Sequence, residues 1–268
     1  MKFAVFVPVC ALVASILPFC SGGIDRGSID DLDANTVTYQ TGDGVKIVAS
    51  WFRPESEARP RVVILLHEKD GSRAQWNELI PVLVNDGYAV LAPDLRGHGD
   101  SKTIVRDGQE QPYEFGDSRE ALLDVDAALS WLQTQTDVDL GYIAMVGARL
   151  GADLTYVSTG LFPNLIKAGI AMTPSQWTDS NQDGIADDPL FATIKDYAAH
   201  DIFFQAGGEA EWIAAASVGV RVQNPGGRRY IDHPDLDGVE LMTIDEPIED
   251  LLKWLKERYQ SPVPTSAI

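Results

Sequence analysis

The segment from Tyr142 to Ala152 constrains the fold more than any other part of the chain. An apolar run ending at Val146 passes into a helical pattern through a short turn flanked by Gly147 and Gly151. A short apolar run bounded by turn residues is typical of a buried strand. The centre of the turn is Arg149, whose guanidinium stays protonated at ordinary pH and cannot act as a nucleophile. The segment therefore predicts a strand, a tight turn and a helix, with a permanent cation at the turn.

The rest of the chain continues this alternation of apolar strands and amphipathic helices. Strands are predicted at 36–40, 45–52, 61–67, 88–92, 142–146, 168–172, 202–206 and 229–232, and the main helices at 75–86, 119–135 and 247–259. This order predicts an α/β fold with a mostly parallel central sheet, helices on both faces and an N-terminal hairpin. In such sheets, ligands bind beyond the carboxyl ends of the strands.

The first twenty residues predict export. Lys2 precedes an apolar stretch from Phe3 to Phe19, which is short for a membrane span and typical of a secretory signal. The stretch from Leu17 to Gly23 resembles a bacterial lipobox, and that resemblance implies lipidation of Cys20. An ordinary cleaved signal and an uncleaved N-terminal anchor remain alternatives. The predicted location is a lipoprotein at the membrane, periplasmic or at the cell surface, or a secreted protein.

Charge and composition define the remaining organisation. The net charge of −19 argues against a nucleic-acid partner and against electrostatic binding to anionic bilayers, so membrane contact is expected through the lipid anchor only. The chain holds two cysteines, both within the first twenty residues, so no disulfide framework is expected. The predicted organisation is a signal at 1–20, a flexible tether at 21–35, one folded domain at 36–260 and a tail at 261–268.

Two further motifs accompany the glycine-flanked turn. Residues 62–71 are a strand ending in His-Glu-Lys-Asp-Gly, and residues 87–101 are a strand followed by Asp-x-Arg-Gly-x-Gly-x-Ser. Together with the turn, they resemble the α/β-hydrolase superfamily over about residues 36–259. The likeness is nearest to dienelactone-hydrolase-like and small serine esterase or peptidase-like members. It implies an α/β-hydrolase fold whose oxyanion-hole positions are Glu68, in place of a glycine, and Leu150.

The same resemblance locates the catalytic triad, in the order nucleophile, acid and histidine. It assigns the nucleophile position to Arg149, the acid to Glu211, with Glu209 as the alternative, and the histidine to Asp237. Because a triad must lie within hydrogen-bond reach, Arg149 is expected to be partly buried in a salt bridge with Asp237, Glu211 or both. The triad is thus degenerate, although a displaced nucleophile at Ser158 or Ser175 and a base at His233 remain open.

A second motif predicts a metal site inside the folded domain. The stretch 179–190 resembles a calcium loop, with Gly184 at the sharp turn and Leu190 where a bidentate glutamate is usual. Its ligands are Asp179, Asn181, Asp183, the carbonyl of Ile185, and Asp187. Asp188 is a candidate for the missing ligand. Binding of Ca²⁺ is expected to be weak, at about 10⁻⁴–10⁻³ M, and the alternative is a solvated acidic turn.

Three functions are consistent with these features. The first is an exported, lipid-anchored, non-catalytic α/β-hydrolase-fold protein that binds a small molecule or a protein in the former active-site cleft. The second is a serine-hydrolase-type esterase or peptidase with an atypical nucleophile. The third is a structural surface protein stabilised by calcium.

Overall fold

The computed structural model describes residues 23–24, 35–55, 59–174, 200–207, 228–233 and 235–260. Several predicted features lie outside these ranges: the signal with Cys20, the calcium loop at 179–190, Ser175, both candidate acids Glu209 and Glu211, and the tail. Within the described ranges, no helix is long and apolar enough to cross a membrane.

The described chain forms a ten-stranded mixed sheet with four α-helices. The strands are β1 (Thr36–Gln40), β2 (Val45–Phe52), β3 (Arg61–Leu66), β4 (Tyr88–Pro93), β5 (Thr103–Arg106), β6 (Gln109–Pro112), β7 (Asp139–Ala148), β8 (Ile166–Met172), β9 (Ile202–Ala206) and β10 (Arg228–Asp232). The helices are α1 (Leu79–Asn85), α2 (Leu122–Leu132), α3 (Leu150–Leu161) and α4 (Asp245–Gln260).

The sheet has a parallel part and an antiparallel part. Its order is β10-β9-β8-β7-β3-β4-β2-β5-β6, and β1 pairs with β2 at the side of this path. The six strands from β10 to β4 run parallel, as the alternation of strands and helices predicts. The strands β2, β1, β5 and β6 add antiparallel pairings, so the predicted N-terminal hairpin is present.

Helices cover both faces of this sheet. Along β3, Val62, Ile64 and Leu66 belong to one buried core cluster, and the intervening Val63 and Leu65 belong to the other. The first cluster includes the apolar sides of α2 and α3, and the second includes those of α1 and α4. Side chains alternate between the two faces of a strand, so an uninterrupted apolar run such as β3 requires cover on both sides.

Two local features differ from the sequence prediction. The predicted helix at 75–86 is a 3-10 turn, Arg73–Trp76, followed separately by α1. Pro81 explains this break, because its ring lacks an N–H and clashes with the carbonyl four residues earlier, at Asn77. The hairpin of β5 and β6 was not predicted. Its two-residue turn, Asp107 and Gly108, has positive φ angles of 52° and 75° and is a common hairpin signal.

Candidate functional site

The turn between β7 and α3 has the sharp geometry that the sequence predicts. Arg149 has φ 47° and ψ −111°, a left-handed conformation that favours glycine and costs a non-glycine residue about 1–3 kcal/mol. A side chain on Gly147 would collide with the backbone of Gly151, and one on Gly151 would collide with the carbonyl of Leu66. The two glycines therefore let the helix start directly over the neighbouring strand. Arg149 is thereby held at the carboxyl end of the sheet.

Arg149 forms an ion pair with Asp237, as predicted. Its Nη2 atom contacts Oδ2 of Asp237, in the loop after β10, and its Nε atom lies 3.9 Å from Oε2 of Glu68. The side chains of Arg149 and Asp237 are 42% and 39% exposed, so this pair is half-open to solvent. The two residues that the resemblance assigns to the nucleophile and histidine positions therefore contact each other, as a cation and a carboxylate. The acid position lies outside the described residues.

Glu68 connects the loop after β3 to the loop after β10. Its Oε1 atom accepts the N–H of Val239 at 2.9 Å, and its own backbone N–H donates to Oε1 of Gln75 at 3.2 Å. A side chain on Gly238 would collide with this carboxylate, so the glycine makes room for it. An oxyanion hole needs free donors. Here the N–H of Glu68 is already bonded to Gln75. The Glu68 carboxylate also adds negative charge where an oxyanion would form.

Thr173, directly after β8, was not among the predicted site residues. Its φ is 49°, its hydroxyl accepts the N–H of Gly238 at 2.9 Å, and its N–H donates to the Gln205 carbonyl at 2.7 Å. Gly238 also has a positive φ, of 51°. A positive φ at a non-glycine residue such as Thr173 is typical of functional sites. The sequence signal that could have identified Thr173 is its place as a polar residue directly after a buried strand.

The polar residues of the Asp-x-Arg-Gly-x-Gly-x-Ser motif bind within the protein. Asp94 is fully buried and accepts the backbone N–H groups of Arg73, at 2.7 Å, and Asp100, at 2.9 Å. The guanidinium of Arg73 adds an ion pair with the Asp94 carboxylate. Ser101 is also buried, and its hydroxyl accepts the N–H of Val48 at 2.8 Å. These contacts make the motif a structural connection between β4 and its neighbours.

The alternative catalytic groups in the described ranges are buried. Ser158 is fully buried within α3, so it is closed to a substrate. His67 has both ring nitrogens bonded to backbone, at Glu68 and Leu95. His233 follows β10 and is 7% exposed, and its Nε2 atom has no hydrogen-bond partner. Within the described residues, no three His, Cys, Asp or Glu side chains are grouped to hold a metal ion.

The geometry agrees with that of known proteins. The solved esterase Pf2001 of Pyrococcus furiosus aligns with 83% of this chain and 91% of its own, at 20% identity and a TM-score of 0.63. Est1E of Butyrivibrio proteoclasticus, solved with ferulic acid, aligns with 82% of this chain and 97% of its own, at 18% identity and a TM-score of 0.55. At such identities the likeness establishes the fold, which is that of the α/β-hydrolases.

Sequence comparison identifies the family. The model of the dienelactone hydrolase family matches residues 47–220, more than half of the chain, so the protein belongs to that family. An uncharacterized protein of Mycobacterium tuberculosis is 32% identical over 43% of this chain and 37% of its own length. The non-heme chloroperoxidase CPO-A1 of Kitasatospora aureofaciens is 28% identical over 58% of this chain and 51% of its own. The matches thus span about half or less of these relatives.

The observed exposure lowers the expected energetic contribution of the Arg149 pair. The sequence predicts a partly buried pair, and removal of one partner from a buried pair costs about 3–5 kcal/mol. Half-exposed pairs contribute only about 0–1 kcal/mol. Arg149→Ala and Arg149→Gly both remove the pair, and only glycine relieves the strained φ. We therefore expect Arg149→Gly to be about 1 kcal/mol more stable than Arg149→Ala in urea unfolding. Equal stability of the two variants would contradict strain at the turn.

Proposed function

We propose that this protein is a non-catalytic member of the dienelactone hydrolase family, and that its former active-site cleft binds a small molecule or a partner protein. The observation that carries the proposal is Arg149 at the nucleophile position, paired with Asp237 at the histidine position. A permanent cation supplies no electron pair for attack on an acyl group. An aspartate at the histidine position lacks the imidazole that takes up the proton of the nucleophile in a hydrolase triad.

Glu68 supports the same conclusion independently. Its N–H is bonded to Gln75, and its carboxylate is held by Val239. Removal of a single oxyanion donor typically costs an acyl-transfer enzyme about 10²–10³-fold in turnover. On this proposal the nucleophile and histidine positions hold a cation and a carboxylate, and the Glu68 donor of the oxyanion hole is already bonded. Two carboxylates and one guanidinium give the cleft a net negative charge at neutral pH.

We expect no hydrolysis of short acyl esters and no labelling by a fluorophosphonate probe. Arg149→Ser alone should also stay inactive, because no base is restored. The informative variants are Arg149→Ser with Asp237→His, with and without Glu68→Gly, since they restore the family pattern stepwise. Probe labelling that appears only in these variants supports the proposal. Turnover in the wild-type protein that survives Arg149→Ala would overturn it.

The second candidate function is an esterase with an atypical nucleophile. It is favoured by the family itself and by the solved relatives, of which one is described as an esterase and another was solved with ferulic acid. Mass spectrometry of a probe-labelled wild-type protein would identify the modified residue. A labelled serine together with hydrolysis of feruloyl or short acyl esters would establish this function instead.

Export and calcium binding complete the proposal. The signal at 1–20 would deliver the chain across the membrane, and Cys20 would carry the lipid. We further propose that the loop at 179–190 binds Ca²⁺ through Asp179, Asn181, Asp183, Ile185 and Asp187. On this proposal calcium stabilises the fold and takes no part in chemistry. A surface protein whose role is structural and calcium-dependent is the third possibility.

Calcium at 10 mM should raise the melting temperature relative to a chelator. An ion that binds only the folded state at 10–100 times its dissociation constant adds about 1.4–2.7 kcal/mol. Asp183→Ala should remove the increase, while Asp107→Ala, in an exposed turn elsewhere, should preserve it. Identical melting of the wild-type protein in calcium and in chelator would show that the loop is only an acidic turn.

A further inference from the structure

Gly23 and Ile24 lie against the start of α4. The backbone N–H of Ile24 donates to Oδ2 of Asp245 at 3.4 Å, and the Ile24 side chain packs on the buried cluster that contains Ile248 and Leu251. A side chain on Gly23 would come within 3.2 Å of the same carboxylate. These two residues, which the sequence pattern assigns to a flexible tether at 21–35, are therefore docked on the folded domain.

This docking point is close to the candidate site along the chain. Asp237 contacts Arg149, and Asp245 begins α4 eight residues later (245 − 237 = 8). Residues Gly238–Thr243 between them form a 3-10 helix, which rises about 2 Å per residue. Asp237 and Asp245 are therefore roughly 15–20 Å apart at most along this path. The edge of the domain at the start of α4 adjoins the cleft.

Cys20 lies four residues before Ile24, and an extended chain spans at most about 3.6 Å per residue. The lipidated residue would then lie within about 14 Å of the docking point. A free tether of fifteen residues would instead let the domain move about 50 Å from the bilayer. We propose that the docked Gly23–Ile24 segment holds the α4-start edge of the domain toward the lipid bilayer, so that the cleft is within roughly 30 Å of the membrane surface. This inference rests on the proposed lipidation of Cys20.

The negative charge of this edge determines how closely it can approach the lipid bilayer. Asp245 and Glu246 form the acidic first turn of α4, and the chain carries a net charge of −19. Anionic headgroups repel such an edge within a Debye length of about 8 Å at physiological salt. A segment of four residues reaches at most about 14 Å, which exceeds this distance. On this proposal the edge faces the bilayer across a thin aqueous layer, and only the lipid of Cys20 enters the membrane.

The test uses the full-length protein in phosphatidylglycerol–phosphatidylethanolamine vesicles. An introduced cysteine carries a donor fluorophore, either at exposed Glu240 beside the cleft or at exposed Glu110 on β6, at the far side of the sheet. An acceptor lipid in the vesicle reports the distance. We expect higher energy transfer from Glu240→Cys than from Glu110→Cys, and loss of this difference when Ile24→Gly is added. Equal transfer from the two positions, or a difference that survives Ile24→Gly, overturns the orientation.

A second arm separates the docking from the lipid anchor. Cys20→Ser should abolish vesicle association, and if the variant associates like the wild type, the anchor and the orientation both fail. In the unanchored Cys20→Ser protein, Ile24→Gly should still speed hydrogen exchange at the start of α4, because the docking contacts involve no lipid. Unchanged exchange there refutes the docked segment even where the anchor is established.

Discussion

Replacement of Arg96 by leucine is expected to lower the free energy of unfolding by about 3–5 kcal/mol. The guanidinium of Arg96 is fully buried and donates to Asp124 at 2.8 Å and to Asp43 at 2.9 Å. The backbone N–H of Arg96 also donates to Asp124 at 2.8 Å. Asp124 is 1% exposed, so loss of the guanidinium leaves a buried carboxylate without its counter-charge. Urea unfolding at pH 7 measures the loss.

The expected loss depends on pH. Burial raises the pKa of Asp124 to about 6, although the hydrogen bonds and charge of Arg96 oppose this. A carboxyl whose folded pKa lies above its unfolded value costs stability as pH rises, and it binds a proton readily below that pKa. Loss of Arg96 removes the groups that oppose this rise, so the pKa of Asp124 should be higher still in the variant. The destabilisation of Arg96→Leu should therefore shrink as pH falls toward about 6 and stay level below it.

Lys46→Leu provides the matched control for this variant. Lys46 pairs with Glu110 at 3.2 Å, but both side chains are largely exposed, so their pair contributes about 0–1 kcal/mol. Similar losses in the two variants, or a loss for Arg96→Leu that grows on acidification, would contradict the role assigned to the buried network. A large loss for Arg96→Leu alone would show that the Asp-x-Arg-Gly-x-Gly-x-Ser motif stabilises the fold, independently of the cleft.

Local sequence signals predicted the parallel part of the fold. Continuous apolar runs such as β3 and β4 require cover on both faces, and the spacing of Gly147 and Gly151 permits one tight turn. The family resemblance then predicted that Arg149 and Asp237 would meet, because it assigned them to positions that must lie within hydrogen-bond reach. The structure confirms this contact. The hairpin β5–β6 was missed because β6 is polar and exposed, so it lacks the apolar alternation of a half-buried strand.

The remaining contacts of the site depend on backbone conformation that no local pattern encodes. Glu68 and Val239 are 171 residues apart, and their hydrogen bond needs the space that Gly238 leaves at positive φ. Thr173 has a positive φ, and its hydroxyl accepts the N–H of Gly238, 65 residues away. The sequence identified Glu68 only as the residue that replaces a glycine at an oxyanion-hole position. Its role as a bridge between two loops required the structure.

Acidification from pH 7 to pH 4 is expected to destabilise the fold by about 3 kcal/mol through His67 alone. His67 is fully buried, and burial lowers its pKa from 6.5 to about 4. Its Nε2 atom accepts the N–H of Leu95 at 2.8 Å, so Nδ1 carries the proton and faces the carbonyl of Glu68 at 2.6 Å. Protonation of Nε2 would replace this hydrogen bond by two opposed donors.

The sign follows from the two pKa values. Because the folded pKa lies below the unfolded one, the contribution of His67 is fully present above about pH 6.5 and is lost as pH falls toward 4. Urea unfolding across this range should give a shallower decline for His67→Gln, whose amide oxygen can accept the Leu95 N–H. Acid-sensitive carboxylates act in both proteins and cancel in the difference. They include Asp43. Burial alone would raise the pKa of Asp43, but its hydrogen bonds with Arg96 and Thr41 lower this pKa below its usual value. If the free energies of unfolding of the wild type and His67→Gln fall in parallel, His67 does not titrate between pH 4 and pH 6.5. A shallower decline in the variant would support His67 as a neutral buried link between the backbone at Glu68, after β3, and at Leu95, after β4.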